Sequence, residues 1–244
     1  MNRRKFIYSS SLASLSVMGL NSCNIRNKDV KITILHTNDV HSQIEPFPFN
    51  HDKYPDRGGF ARRANIFKGL LKINPNTLIF DAGDIFQGTP YFNFFQGDLE
   101  LKLMKKMGYN AATIGNHEFD AGLNRLKKNI LNNNFQFISS NYDFTNTELE
   151  GLISKYKIYK KEGIKIGVFG LGIELNGLVN SSLYKETKYY DPVEITQEMT
   201  DILKNKEKCD LIICISHLGH SYQNTKISDL KLGSLTSDID LIIG

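Results

Sequence analysis

The chain of 244 residues is 41% hydrophobic and 23% charged, a globular balance that supports a sizeable core and excludes long disordered stretches. Its formal charge of +4 is spread along the chain, so no basic tract marks a nucleic-acid partner. The three cysteines, Cys23, Cys209 and Cys214, have neither zinc-knuckle spacing nor the pattern of a disulfide framework.

Residues 1–23 read as an export signal. Arg3, Arg4 and Lys5 form a charged head, and Phe6 to Leu20 is an apolar run diluted by serines. That run is too short and too polar to span the ~30 Å of a bilayer core. Arg3-Arg4-Lys5-Phe6-Ile7 resembles a twin-arginine signal, with Asn2 where Ser or Thr is usual. Leu20-Asn21-Ser22-Cys23 resembles a bacterial lipobox, in which Cys23 becomes the lipidated first residue. Both imply an exported domain, periplasmic or anchored to the membrane through a lipid. Residues 24–29 form a polar linker, and 30–244 form the domain.

Within the domain, apolar runs alternate with helical patterns. Val30 to Leu35 is a β-branched strand. Phe60 to Lys72 places Phe60, Ala64, Phe67 and Leu71 on one helical face. Asn74-Pro75-Asn76 breaks the chain before a strand at Thr77 to Phe80. Leu99 to Met107 carries Leu99, Leu103, Met104 and Met107 on one side and stops at Gly108. Ala111 to Ile114 and Phe135 to Ser139 are predicted strands around a helix at Leu123 to Leu131. Lys165 to Gly170, Leu211 to Ile215 and Asp240 to Ile243 are further strands. Between the first two, Pro192 opens a helix whose apolar face is Ile195, Met199, Ile202 and Leu203. Ile44 to Gly58 and Asn141 to Lys157 read as loops or small hairpins. This alternation predicts an α/β layered domain.

Polar residues gather where strands end, and the crevice beyond the carboxyl ends of strands is where α/β sheets bind ligands. The first strand runs into His36-Thr37-Asn38-Asp39-Val40-His41, and the second into Asp81-Ala82-Gly83-Asp84. A third runs into Gly115-Asn116-His117-Glu118-Phe119-Asp120, and a later one into Ser216-His217-Leu218-Gly219-His220. Asp39 and His41 are two apart, a spacing that places both on one face of a strand. A carboxylate and an imidazole suit a borderline divalent ion such as zinc or manganese. Gly83 lets the backbone at Asp84 come close to a ligand, and a carboxylate there can bridge two cations. Asn116 offers a neutral oxygen and His217 a second imidazole. His36, His51 and His220 read as ordinary histidines, Asp81 as a turn former and Glu118 as a supporting or capping group.

These same residues carry a family resemblance. Ile34 to Ser42 resembles the opening signature of the 5′-nucleotidase branch of calcineurin-like metallophosphoesterases. Gly58-Gly59-Phe60-Ala61-Arg62, Asp81 to Thr89, Gly115 to Asp120 and Ser216 to Gly219 are similar to its later blocks, in the same order. The resemblance implies a four-layer αββα sandwich holding two divalent metal ions. It places Asp39 and His41 on the first metal, Asp84 between the two, and Asn116 and His217 on the second. It makes His117 a catalytic group that polarises the phosphate, oriented by Asp120. The implied reaction is hydrolysis of a phosphate ester, foremost a 5′-nucleotide, by metal-activated water. Cyclic nucleotides, nucleotide sugars and sulfur substrates stay open within the family. The family pattern continues into Gly-His-x-His, one further ligand for each metal, and then into a separate C-terminal nucleotidase domain. The sequence ends at Gly244, so the expectation is a C-terminally truncated front part, with a half-enzyme or non-catalytic lipoprotein as the rival.

Overall fold

The computed structural model describes residues 29–244. The export signal, the lipobox at Cys23 and most of the linker lie outside them. Among the described residues no helix is long and apolar enough to cross a membrane. The fold below is that of 32–244.

Two sheets carry it. The first has the order β1 (Thr33–Thr37), β2 (Thr77–Asp81), β3 (Ala111–Ala112), all parallel. The second has the order β5 (Tyr156–Lys161), β6 (Ile164–Leu171), β8 (Leu211–Ser216), β9 (Leu241–Ile243). There β5 is antiparallel to β6, and the other pairs are parallel. A two-stranded antiparallel piece, β4 (Tyr142–Asp143) with β7 (Lys188–Tyr189), stands apart.

Strand alternation sorts the side chains into three apolar layers. Leu78 and Phe80 of β2 meet Ile166, Val168, Ile213 and Ile215 of the second sheet in the middle layer. Ile79 faces the other way, into a layer with α1 (Phe60–Ile73), α3 (Asp98–Met107) and α4 (Gly122–Asn133). Phe169, Leu171, Ile212 and Cys214 face outward from the second sheet onto α6 (Pro192–Asp201) and α7 (Asp229–Leu235). Helix, sheet, sheet, helix is the αββα sandwich the sequence implied.

Local chemistry explains the elements. Asp191 caps α6 by accepting from the N–H of Val193 (2.8 Å) and Glu194 (3.1 Å), and Pro192 takes the first helical position. Ile195 and Met199 are buried from it, and the helix runs on into a π turn at Ile202–Lys206 that buries Leu203. Gly108 ends α3 in left-handed backbone, as its position predicted.

Three expectations need correction. The buried stripe of α3 is Glu100, Leu101 and Met104. Leu99, Leu103 and Met107 are half-buried, and the last two line a 670 Å³ groove between α1 and α3. The predicted strand at Phe135 to Ser139 is an extended link instead. It pairs with Ala112 at Phe137, with Ser154 at Ile138, and reaches Gly170 through the N–H of Ser140, so it changes partner too often to form a ladder. The predicted strand from Ala111 to Ile114 is paired over Ala111–Ala112 alone.

Candidate metal centre

The strand ends of both sheets deliver loops to one edge. β1 stops at Thr37, so Asp39 and His41 do not share a strand face as their spacing suggested. They lie on a loop zipped to the loop after β2. The N–H groups of Asp39, His41 and Ser42 donate to the carbonyls of Gly83, Asp84 and Ile85, at 3.0, 3.1 and 2.8 Å. Asp39, His41, Ser42 and Asp84 all have left-handed backbone, with φ of 49°, 43°, 53° and 55°. Non-glycine residues held there are strained, and such strain collects at functional sites.

Asp84 is the hub. It is 7% exposed, and its Oδ2 lies 3.2 Å from His217 Nε2 and 3.9 Å from His41 Nε2. His41 Nε2 is 3.7 Å from Asp39 Oδ1. Ligand atoms of Asp39, Asp84 and His217 fall within 4.8 Å of one another, as do those of His41, Asp84 and His117. Both groups contain Asp84. The remaining ring nitrogens of two imidazoles are tied to backbone oxygen, His217 Nδ1 to Ala82 at 2.8 Å and His41 Nδ1 to Phe86 at 3.3 Å. Such bonds orient a histidine for a ligand on its other nitrogen. Gly83 and Gly115 press together beneath the hub, where a Cβ on Gly115 would fall 2.7 Å from the Asp84 nitrogen and 2.9 Å from His217 Nε2.

The third loop turns through a short 3₁₀ segment, His117–Phe119. His117 donates its backbone N–H to Asp84 Oδ1 (2.9 Å), and its Nδ1 stands 2.7 Å from Asp120 Oδ2. Its ring meets that of His41 edge-on, with centroids 5.1 Å apart. Asn116 precedes the turn, half-buried and in right-handed backbone. His36 and His220 are exposed, and His51 accepts from the N–H groups of Lys53 and Tyr54 within its own turn.

Glu118 does more than the sequence suggested. Fully buried, its carboxylate accepts from the backbone N–H of Asp84 (3.0 Å), Ile85 (2.7 Å), Phe86 (3.4 Å) and Gly115 (2.6 Å). It therefore ties the second loop to the third. Asp81 likewise accepts from Gly83 N–H (3.0 Å) and from the Thr37 hydroxyl (2.5 Å), which also pairs with the Tyr109 hydroxyl (2.7 Å). Thr37 and Tyr109 escaped the sequence reading because neither side chain is charged. The one available signal was Thr37 standing two residues before Asp39.

Electrostatics follow from this packing. The hydrogen bond from His41 holds the Asp39 carboxyl below its usual range, and Asp39 in turn raises His41. Burial works against the Asp84 carboxylate, but the His217 ring and the His117 N–H outweigh it and lower the group. Burial also works against a charged His217, yet Asp84 lifts it to about 9. Burial pushes Asp81 up to about 7, and burial with Asp84 nearby pushes Glu118 up to about 8.

Fold and site together define an αββα domain with a candidate carboxylate–imidazole metal site at the carboxyl edge of its strands. Calcineurin-like phosphoesterases match residues 32–244, and the chain belongs to that family. The Vibrio cholerae 5′-nucleotidase is 36% identical over 229 residues, 89% of this chain and 40% of that protein. The Haemophilus influenzae NAD nucleotidase structure superposes with a TM-score of 0.74 at 33% identity, covering 87% of this chain and 42% of that one. The 5′-nucleotidase precursor of Thermus thermophilus gives 0.71 at 32% identity, covering 78% and 37%. This chain thus spans about two fifths of the length of these relatives.

Proposed function

We propose that the domain holds two divalent cations and hydrolyses a phosphate ester, most readily that of a 5′-nucleotide. The observation that carries this is the shared carboxylate. Asp84 belongs to both ligand groups, so its carboxylate could be shared by two cations, which would stabilise the charge of an in-line displacement. The donor set fits, since two oriented imidazoles with carboxylate oxygens suit zinc or manganese. Following the family pattern, Asp39 and His41, 3.7 Å apart, would hold one cation, His217 and the Asn116 amide oxygen the other, and Asp84 both, while the ligand atoms of Asp39 also fall within reach of His217. When bound, the cations supply charge stabilisation for the phosphoryl oxygens and acidify water.

The chain's own groups do the rest. Asp120 accepts from His117 Nδ1, which leaves Nε2 to face the substrate phosphate and follow the leaving oxygen. Strand β9 is parallel to β8 with Ile243 opposite Ile215, so Gly244 stands level with Ser216, next to His217. The nucleotide class is supported by the names of the relatives, and a separate C-terminal domain by their greater length. The leader supports export, to the periplasm or to the membrane through a lipid on Cys23.

The test uses the full-length gene product. Elemental analysis is expected to find divalent metal, and phosphate release from AMP should stop on chelation and return with Mn²⁺. AMP hydrolysis indifferent to chelation, or no metal uptake, would sink the proposal. Faster release from a cyclic nucleotide or nucleotide sugar would move the substrate within the family.

A further inference from the structure

The cation-site reading leaves open what aims the ring of His217. Its Nδ1 stands 2.8 Å from the Ala82 carbonyl oxygen, and its Nε2 lies 3.2 Å from Asp84 Oδ2. A carbonyl only accepts, so Nδ1 carries a proton and Nε2 is the nitrogen left for a cation. Ala82 C=O and Gly83 N–H belong to one planar peptide group, so whatever fixes that plane also fixes the direction of the bond to His217. Gly83 lies against the ring, since a Cβ there would fall 2.9 Å from His217 Nδ1. The ring thus rests on this peptide and takes its orientation from it.

Asp81 holds the other end of the peptide. Its Oδ1 accepts from Gly83 N–H at 3.0 Å, which taken alone is an ordinary turn at the end of a strand. The second carboxyl oxygen goes beyond a turn. Thr37 and Asp81 end β1 and β2 and stand opposite each other in register, and the Thr37 hydroxyl donates to Asp81 Oδ2 (2.5 Å). Thr37 has one hydroxyl proton and gives it to Asp81, so its oxygen accepts from the Tyr109 hydroxyl (2.7 Å). The Tyr109 oxygen accepts in turn from Arg63 Nη1 of α1 (3.3 Å). A hydrogen-bonded row therefore runs from α1 to the peptide beneath His217. Asp81 is fully buried at the end of a strand buried along its whole length, where a carboxyl without partners is costly. A turn alone requires neither that burial nor the row behind it.

We propose that Asp81 is a positioning residue for the cation site: braced by Thr37, it fixes the peptide of Ala82 and Gly83 and so aims His217 Nε2 at the cation. It stands outside both ligand groups. This rests on the cation-site reading, but it predicts that the effect of Asp81 passes through His217, which the reading alone does not.

The experiment is a Zn²⁺ titration against a competing chelator on the full-length gene product. It compares the wild type with Asp81→Asn, Asp81→Ala, Thr37→Val, His217→Ala and the Asp81→Ala/His217→Ala pair. Histidine ¹⁵N NMR is recorded on the Zn²⁺ forms, and thermal midpoints are taken without cation. Groups that orient a metal-binding imidazole are worth about 10–100-fold in affinity, so Asp81→Ala is expected to weaken Zn²⁺ binding about tenfold or more. It should also lose the slowly exchanging Nδ1–H signal of His217. Thr37→Val should shift both in the same direction and by less. Asp81→Asn keeps an oxygen for Gly83 N–H and should stay within about threefold of wild type. In His217→Ala, adding Asp81→Ala should change the remaining affinity by less than about threefold. A purely structural role would lower the midpoints and leave the affinity of the folded fraction and the Nδ1–H signal unchanged, and that result overturns the proposal. A further loss of about tenfold on the His217→Ala background overturns it too, since Asp81 would then act by another route. If Asp81→Ala does not fold, unchanged Zn²⁺ affinity in Thr37→Val decides against it. A wild-type protein that takes up no Zn²⁺ removes the cation site and the proposal with it, whereas uptake indifferent to Asp81→Ala removes the proposal alone.

Discussion

His117 is held at both ends, its backbone N–H on Asp84 and its Nδ1 on Asp120. A ring so fixed can present one nitrogen to a phosphate or to a cation, and the ligand group of His41, Asp84 and His117 leaves both geometrically open. The two roles predict different mutants. As an acid–base group, His117→Ala should lower turnover by about 10² or more with metal content intact. Asp84→Ala should lose metal, because Asp84 belongs to both ligand groups. Hydrolysis rates with elemental analysis decide, and equal metal loss in the two variants would make His117 a ligand. Glu118 poses a different question, of stability. Its carboxylate accepts from four backbone N–H groups in the interior, and each one left unpaired costs about 1–3 kcal/mol. Glu118→Ala is therefore expected to leave the domain unfolded or melting far below wild type by circular dichroism. A midpoint near that of wild type would mean that the two loops do not depend on this tie.

Helix α3 shows how element packing decides which residues matter. Its buried side is Glu100, Leu101 and Met104, while Leu103 is half-buried at the groove toward α1. Leu101→Ala should cost about 2–5 kcal/mol by denaturant unfolding and Leu103→Ala distinctly less. The reverse order would restore the face read from the sequence. That face was misread for a physical reason. Leucines at helical spacing look alike whether they meet a sheet or a groove, and a glutamate at position 100 argues against burial until its surroundings are seen. The strands buried on both faces, β2 and β8, were legible as short β-branched or aromatic runs. Strand β5 was not, because Tyr156–Lys161 is rich in lysine and lies at a sheet edge. At the site, the coming together of Asp39, His41, Asp84, His117 and His217 was legible from polar residues placed after strands. The means were not. The left-handed loop of Asp39 to Ser42, the four bonds of Glu118 and the Thr37–Tyr109 pair depend on backbone direction and on uncharged or capping groups, which leave no periodic signature.

Over the whole molecule, the groups of this edge that the fold makes hold their protons more tightly link folding to pH with one sign. In the metal-free domain, Asp81 holds its proton to about 7 against an ordinary 3.8, and Glu118 to about 8 against 4.5. His217 holds its proton to about 9 against 6.5. Between each pair of values the folded state binds more protons than the unfolded one, so stability falls as pH rises. The stability lent by His217 is complete below 6.5 and gone above about 9, and the two carboxyls reduce stability progressively from about 4 to about 8. Asp39 and Asp84 have the opposite sign, since both are lowered, but their contribution is lost only as pH drops below the ordinary carboxylate range. The metal-free domain should thus melt at a higher temperature at pH 5 than at pH 8. A divalent cation bound at the proposed site would oppose the trend. It needs the His217 ring unprotonated, so protons compete with it at low pH, and its stabilisation grows with the affinity gained as they leave. Melts at pH 5 and pH 8, each with and without Mn²⁺, are expected to show a small gain from the cation at pH 5 and a large one at pH 8. Equal gains at the two pH values would mean that cation and proton do not share His217, and the ligand would have to be sought elsewhere on this edge.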